Sequence, residues 1–101
     1  MLNIHEIEEV LRKAHDAAHE EYLATSNAYL ADSDNPKTRL ADAIATEKVI
    51  ALSDALDTVT QISWHSDETA EQIVNRIVKA ITFKAEYSAN KLYDDIEAKS
   101  A

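Results

Sequence analysis

The chain has 101 residues, the length of one domain, and we expect residues 1–101 to form a single helical domain. It contains no glycine and one proline, whereas a sheet protein of this length needs several tight turns, so the composition predicts long helices and few turns. The 19 Asp and Glu residues against 10 Lys and Arg give a net charge of −9, which argues against direct nucleic-acid binding and against anionic membranes as partners.

The chain also lacks the sequence features of secreted and membrane proteins. It contains no cysteine, so we expect neither a disulfide framework nor a thiol metal site. The first residues lack the basic start and apolar run of a signal peptide, and no apolar run approaches the ~20 residues of a membrane span. We therefore expect a cytoplasmic protein.

The first predicted helix covers residues 3–31. Asn3 is a suitable N-cap, and Glu6 follows three residues later as in a capping box. Mostly apolar side chains recur at helical spacing and predict one buried stripe. The stripe consists of Ile4, Ile7, Leu11, Ala14, Ala18, Tyr22, Thr25 and Tyr29. Its middle contains only alanines, which indicates close approach of a neighbouring helix or loose packing there.

The second predicted helix covers residues 36–62, with Asn35 as N-cap and Pro36 at the first helical position. Its apolar stripe is wider than the ~100° of an ordinary surface helix. The stripe consists of Leu40, Ile44, Ala51, Leu52, Ala55, Leu56, Val59 and Ile62. This width predicts two neighbours, either both from the same chain or one from a second copy. Ile50 lies outside the stripe, and its exposure would favour the second copy.

The third predicted helix covers residues 67–97, with Ser66 as N-cap. Its stripe consists of Ala70, Ile73, Val74, Ile77, Val78, Ile81, Ala85, Leu92 and Ile96. The segment Ile73–Ile81 is the most apolar of the chain and is predicted to lie in the core. Three helices with short connections predict an all-α, antiparallel three-helix bundle.

Two histidines four residues apart, His15 and His19, could face one metal ion from one helix. The segment is similar to the two-histidine motif of zinc proteases, but Asp16 replaces the glutamate that serves there as general base. No third ligand is identifiable in the sequence. We interpret the histidines as solvated side chains on a polar flank, and we predict no metal site and no cofactor.

Acidic residues three apart form pairs, among them Glu6 with Glu9 and Glu68 with Glu71. They resemble the pairs with which all-helical nucleotide pyrophosphohydrolases hold Mg²⁺. The chain lacks the longer acidic cluster of those enzymes, and acidic residues at a helix start complement the helix dipole. We predict no catalytic residue and no enzymatic activity, with a metal-dependent hydrolase as the enzymatic alternative.

The remaining candidate site is a surface. On the third helix, Phe83 and Tyr87 are predicted to point away from the core near Arg76, and aromatic residues with Arg are typical of interface hot spots. Exposed acidic residues would add charge. The predicted partner-binding residues are Glu20, Glu21, Arg76, Phe83, Tyr87, Asp94, Asp95 and Glu97.

These features predict a small, acidic, non-enzymatic protein-binding module. Its acidic faces would dock on a basic protein surface, such as one that normally holds nucleic acid, and so act as an inhibitor and nucleic-acid mimic. Small phage-encoded inhibitors of host defence nucleases are similar to this chain in size, charge and helical composition. The alternative is a structural or assembly protein that acts as a helical homodimer.

Overall fold

A computed structural model describes residues 2–100, apart from the side chains of Tyr93 and of residues 95–100. It contains the α-helices α1 (Ile4–Ala31), α2 (Pro36–Asp57) and α3 (Ala70–Ser100), and a 3₁₀ helix (Val59–Gln61) that follows α2. Every pair of α-helices is in contact, which confirms the predicted all-α three-helix bundle. None of the described helices has a stretch that is long and apolar enough to cross a membrane.

Helices α1 and α2 begin where the sequence predicts because polar side chains cap them. The Asn3 side-chain oxygen accepts a hydrogen bond from the Glu6 backbone N–H at 3.1 Å. The Asn35 side-chain oxygen accepts one from the Lys37 N–H at 2.9 Å. Each cap accepts a hydrogen bond from a backbone N–H of the first helical turn, which has no carbonyl partner four residues earlier within the helix.

Helix α2 ends at Asp57, whereas the predicted helix continues to Ile62. The Thr58 hydroxyl donates to the Asp54 carbonyl at 2.8 Å, and the chain then continues as the 3₁₀ helix. Val59 nevertheless remains in the core at 8% exposure. The apolar pattern therefore continues past the end of the α-helix, which explains why the predicted boundary is too late.

Helix α3 begins at Ala70, and the prediction that Ser66 caps it at residue 67 is wrong. The Thr69 hydroxyl accepts a hydrogen bond from the Gln72 N–H at 3.2 Å, and the Gln72 side-chain oxygen accepts one from the Thr69 N–H at 2.9 Å. This reciprocal pair is a capping box. Ser66 instead lies in a turn in which the Glu68 N–H donates to the His65 carbonyl at 3.0 Å.

Thr69→Ala is expected to lower the free energy of unfolding by about 1 kcal/mol, because it removes the capping hydroxyl. Ser66→Ala is the matched control and is expected to change it by less than about 0.5 kcal/mol. Urea unfolding followed by circular dichroism measures both. An equal loss in the two variants would contradict the assignment of Thr69 as the cap.

Among the described side chains, the large ones that are fully buried lie at one end of the bundle. The fully buried ones are Ile7, Leu11, Leu52, Ile73 and Val74. They come from the first half of α1, the second half of α2 and the beginning of α3, which confirms the start of Ile73–Ile81 as core. Towards the other end, the buried residues among the described side chains are Ala18, Ala45, Ala85 and Ala89. Each of these alanines buries little apolar area.

The exposed large hydrophobic side chains, apart from Trp64, lie from the middle of the bundle to this alanine-packed end. They are Leu23, Leu30, Ile50, Phe83, Tyr87 and Leu92. Leu92 was predicted to be part of the buried stripe of α3, but it is 61% exposed. The side chain of Ile96, predicted in the same stripe, lies outside the described residues.

Candidate functional site

The charges of the chain are divided unevenly among its helices. Residues 1–69 contain 14 Asp and Glu against 5 Lys and Arg, whereas residues 70–101 contain 5 of each. The whole net charge of −9 therefore belongs to α1, α2 and the two connections. Between residues 76 and 91, α3 carries 4 exposed basic residues and 1 acidic residue, so this part of its surface is cationic.

Many carboxylates of α1, α2 and the connection between them are exposed and have no Lys or Arg partner among the described side chains. These are Glu6, Asp16, Glu20, Asp32, Asp34, Glu47, Asp54 and Asp57, which we call the acidic surface. Other acids are paired, such as Glu8 with Arg12 at 3.0 Å. Exposed pairs of this kind contribute little stability, and the unpaired acids contribute their negative charge to the electrostatic potential around the protein.

The two acids predicted on α1 have different surroundings. Glu20 is exposed and belongs to the acidic surface. Glu21 accepts a hydrogen bond from the ammonium of Lys48, whose side chain is 16% exposed, at 3.0 Å, and this bond connects α1 to α2. This ion pair borders a groove of about 430 Å³ between α1 and α3. The α1 wall of the groove includes Ala14, Ala17 and Ala18.

The predicted aromatic residues are exposed, as the sequence indicates. Phe83 is 72% exposed and Tyr87, one turn later on α3, is 62% exposed. Tyr87 and Asp94 line one shallow depression, together with Asn90 and Lys91. The structure thus brings two of the predicted partner-binding residues together, at the end of the cationic part of α3. The side chains of Asp95 and Glu97 lie outside the described residues.

Arg76 holds the connection between α2 and α3. Its guanidinium donates to both carboxylate oxygens of Glu68 at 3.2 Å and to the Ser63 carbonyl at 3.3 Å. Glu68 also accepts a hydrogen bond from the His65 backbone N–H at 2.8 Å. That bond, followed by the charge and hydrogen bonds of Arg76, lowers the pKa of Glu68 against the opposing effect of burial. Arg76 therefore has a role within the chain besides the predicted one.

The histidines of α1 contact each other and their helical neighbours. The rings of His15 and His19 stack with centroids 6.4 Å apart. The His15 Nδ1 lies 3.4 Å from the Asp16 carboxylate, and the His19 ring lies 6.1 Å from the Tyr22 ring. Within residues 2–100 as described, no three His, Asp or Glu side chains come close enough to share a metal ion.

Two of the acidic pairs meet at one end of the bundle. Glu6 and Glu9 from the start of α1, and Glu68 and Glu71 from the start of α3, line a depression of about 510 Å³. Lys13 lines it too, with its ammonium 3.9 Å from the Glu9 carboxylate. The two pairs lie far apart in the sequence, and the packing of α1 beside α3 in the same direction brings them together.

A groove between α2 and α3 was also absent from the sequence-based prediction. It has a volume of about 270 Å³. Its α2 wall consists of Glu47, Ile50, Ala51 and Asp54, and its α3 wall of Ile81, Lys84, Ala85 and Ser88. Glu47 precedes Ile50 by three residues and Asp54 follows it by four, so both acids lie beside Ile50 on the helix surface. The spacing is visible in the sequence, but the exposure of Ile50 comes from the structure.

Among the described side chains, Glu20 belongs to the acidic surface, Phe83 and Tyr87 lie on the cationic part of α3, and Tyr87 and Asp94 share a depression. Comparison with protein-family models, with curated proteins and with solved structures finds no match to this chain. Functional inference therefore depends on the charge and exposure of these surfaces.

Proposed function

We propose that this chain is a non-enzymatic protein-binding module whose acidic surface docks on a basic surface of a partner protein, such as one that normally holds nucleic acid. The observation that supports this is the concentration of the net charge of −9 in residues 1–69. The carboxylates of the acidic surface are exposed on α1, α2 and the connection between them, and they lack Lys or Arg partners among the described side chains. They are therefore available to cations of another molecule.

Binding of this kind inhibits the partner because the chain competes with nucleic acid for the same basic site. Lys and Arg side chains that contact the phosphates of a nucleic acid are equally suited to carboxylates. A helical surface that presents carboxylates over several turns occupies such a site and excludes the nucleic acid from it. Opposite charges also accelerate the encounter of the two proteins, and salt screens this effect. The proposed setting is the cytoplasm, where nucleic-acid-binding proteins are abundant.

Charge reversal on α1 tests the proposal. The immobilised chain is used to capture proteins from an extract of the source cells, at low and at high salt. We expect Asp16→Lys combined with Glu20→Lys to reduce capture about tenfold, because both acids lie on one exposed face of α1. Double-stranded DNA, which competes for a basic nucleic-acid site, should displace the captured partner.

The matched control is Glu71→Lys combined with Glu86→Lys, which changes the charge equally but on α3. This control variant should capture the partner as well as the wild-type chain does. Thermal unfolding of both variants verifies that the fold is intact. Capture that is insensitive to salt, to DNA and to the α1 reversal would show that the acidic surface does not bind the partner.

A further inference from the structure

The outer face of α2 and α3 combines an apolar centre with two walls of opposite charge. Ile50, 51% exposed, lies between Glu47 and Asp54 on the α2 side of the groove. Lys84 stands on the α3 side, and Tyr87 and Lys91 follow it on the same helical face. We call the groove and these two residues beside it the α2–α3 face. Within the groove, the acids lie on α2 and the base lies on α3.

The charges of this face are available for contacts with another molecule. Among the described side chains, Lys84 and Lys91 make no ion pair, and neither do Glu47 and Asp54. The exposed half of Ile50 is in contact with water, which is unfavourable for an apolar side chain of this size. A molecule that covers the face gains both the apolar contact and the charge pairs.

We infer that a second copy of this chain covers the α2–α3 face. A partner surface of one sign would be attracted by one wall and repelled by the other, since the walls carry opposite charges. A second copy presents the same pair of walls and is complementary to both. The wide apolar stripe of α2 predicts two neighbours, and exposure of Ile50 favours a second copy as one of them. Ile50 is exposed in the structure.

The charge pattern selects one symmetry for this dimer. A twofold axis in the interface and perpendicular to the helices would place α2 on α2 and α3 on α3, with like charges opposed. A twofold axis parallel to the helices places α2 of each copy on α3 of the other. Glu47 and Asp54 then face Lys84 of the second copy at the same level of the bundle. The four helices alternate in direction, as in antiparallel four-helix bundles.

This arrangement leaves the outer side of α1 exposed in both copies. Glu20 and Asp16 lie on α1 and take no part in the α2–α3 face. The dimer covers Glu47 and Asp54 of the acidic surface but leaves Asp16 and Glu20 accessible, so the charge reversal on α1 tests the docking separately from the dimer. Where both hold, one dimer presents two copies of the part of the acidic surface that lies outside the α2–α3 face.

The first test introduces a charge at the centre of the face. Sedimentation equilibrium of the wild-type chain at micromolar concentration is expected to give a dimer. Ile50→Glu should weaken it about 100-fold, because it buries a carboxylate between two acids. Leu30→Glu, at a 75% exposed position of α1, is the matched control and should leave the dimer unchanged. Circular dichroism verifies that both variants are folded.

The second test exchanges the charges. One variant carries Lys84→Glu, and the other carries both Glu47→Lys and Asp54→Lys. Each variant by itself should dimerise about 100-fold more weakly than the wild-type chain, because like charges then face each other. An equimolar mixture of the two variants should form a 1:1 heterodimer, since opposite charges then meet at both contacts. A wild-type chain that is monomeric at micromolar concentration overturns the inference. So does a dimer that tolerates Ile50→Glu and Lys84→Glu, or a mixture that fails to associate.

Discussion

Leu11→Ala is expected to lower the free energy of unfolding by about 3 kcal/mol, within the range for truncation of a fully buried leucine. Leu11 has 0% exposure and packs in the cluster of large side chains at one end of the bundle. The surrounding residues come from all three helices, so the cavity cannot close by movement of one of them. Urea unfolding followed by circular dichroism measures the change.

The same substitution at Leu30 is the matched control, because it removes the same atoms from the same helix. Leu30 is 75% exposed, and Leu30→Ala is expected to change the free energy of unfolding by less than about 0.5 kcal/mol. Comparable losses at the two positions would contradict the placement of the core at the first half of α1. A 101-residue domain has a small total stability, so the Leu11 variant should also melt at a clearly lower temperature.

The helix boundaries that the sequence predicts correctly are those set by adjacent residues. Asn3 and Asn35 each cap the helix that begins directly after them, and no other part of the chain is needed for these bonds. The start of α3 depends on more. Ser66 and Thr69 are both capping residue types, and the turn that excludes Ser66 is held by Glu68, which receives hydrogen bonds from His65 and from Arg76.

Burial was predicted less completely because periodicity gives the direction of a side chain but not the distance to the next helix. Ile73 and Leu92 belong to the same apolar stripe of α3, yet the first has 0% exposure and the second 61%. The difference is their position along the bundle. Ile73 lies at the end filled by large side chains, and Leu92 lies towards the end where the buried residues are alanines.

The candidate surfaces could likewise be predicted only in part, because the sequence does not give the placement of one helix relative to another. The sequence was sufficient to predict that Phe83 and Tyr87 are exposed, because both lie opposite the stripe of α3. Grouping them with Glu20 in one site required the relative placement of helices, which the sequence did not provide. The α2–α3 face depends on the same information, since Ile50 and Lys84 are distant in sequence and meet only through the packing of two helices.

The alanine-packed end leads to a second prediction with a large expected effect. Ala45 is 1% exposed, and Ala45→Leu should lower the free energy of unfolding by about 1–3 kcal/mol, because the added atoms find no space in a packed site. An alanine that merely leaves a gap would instead tolerate leucine or gain stability from the added apolar contact. The measured sign therefore distinguishes close helix approach from loose packing at the alanine-packed end of the bundle.

Ala43→Leu is the control for this substitution, two residues earlier on the same helix at an exposed position. Leucine and alanine differ little in helix propensity, so Ala43→Leu should change the free energy of unfolding by less than about 0.5 kcal/mol. A loss at Ala45 alone would show that this half of the bundle is held by close backbone approach, which leaves large side chains such as Leu23 and Leu30 outside. A gain at Ala45 would show that the alanine end is underpacked and that its exposed apolar residues could re-enter it.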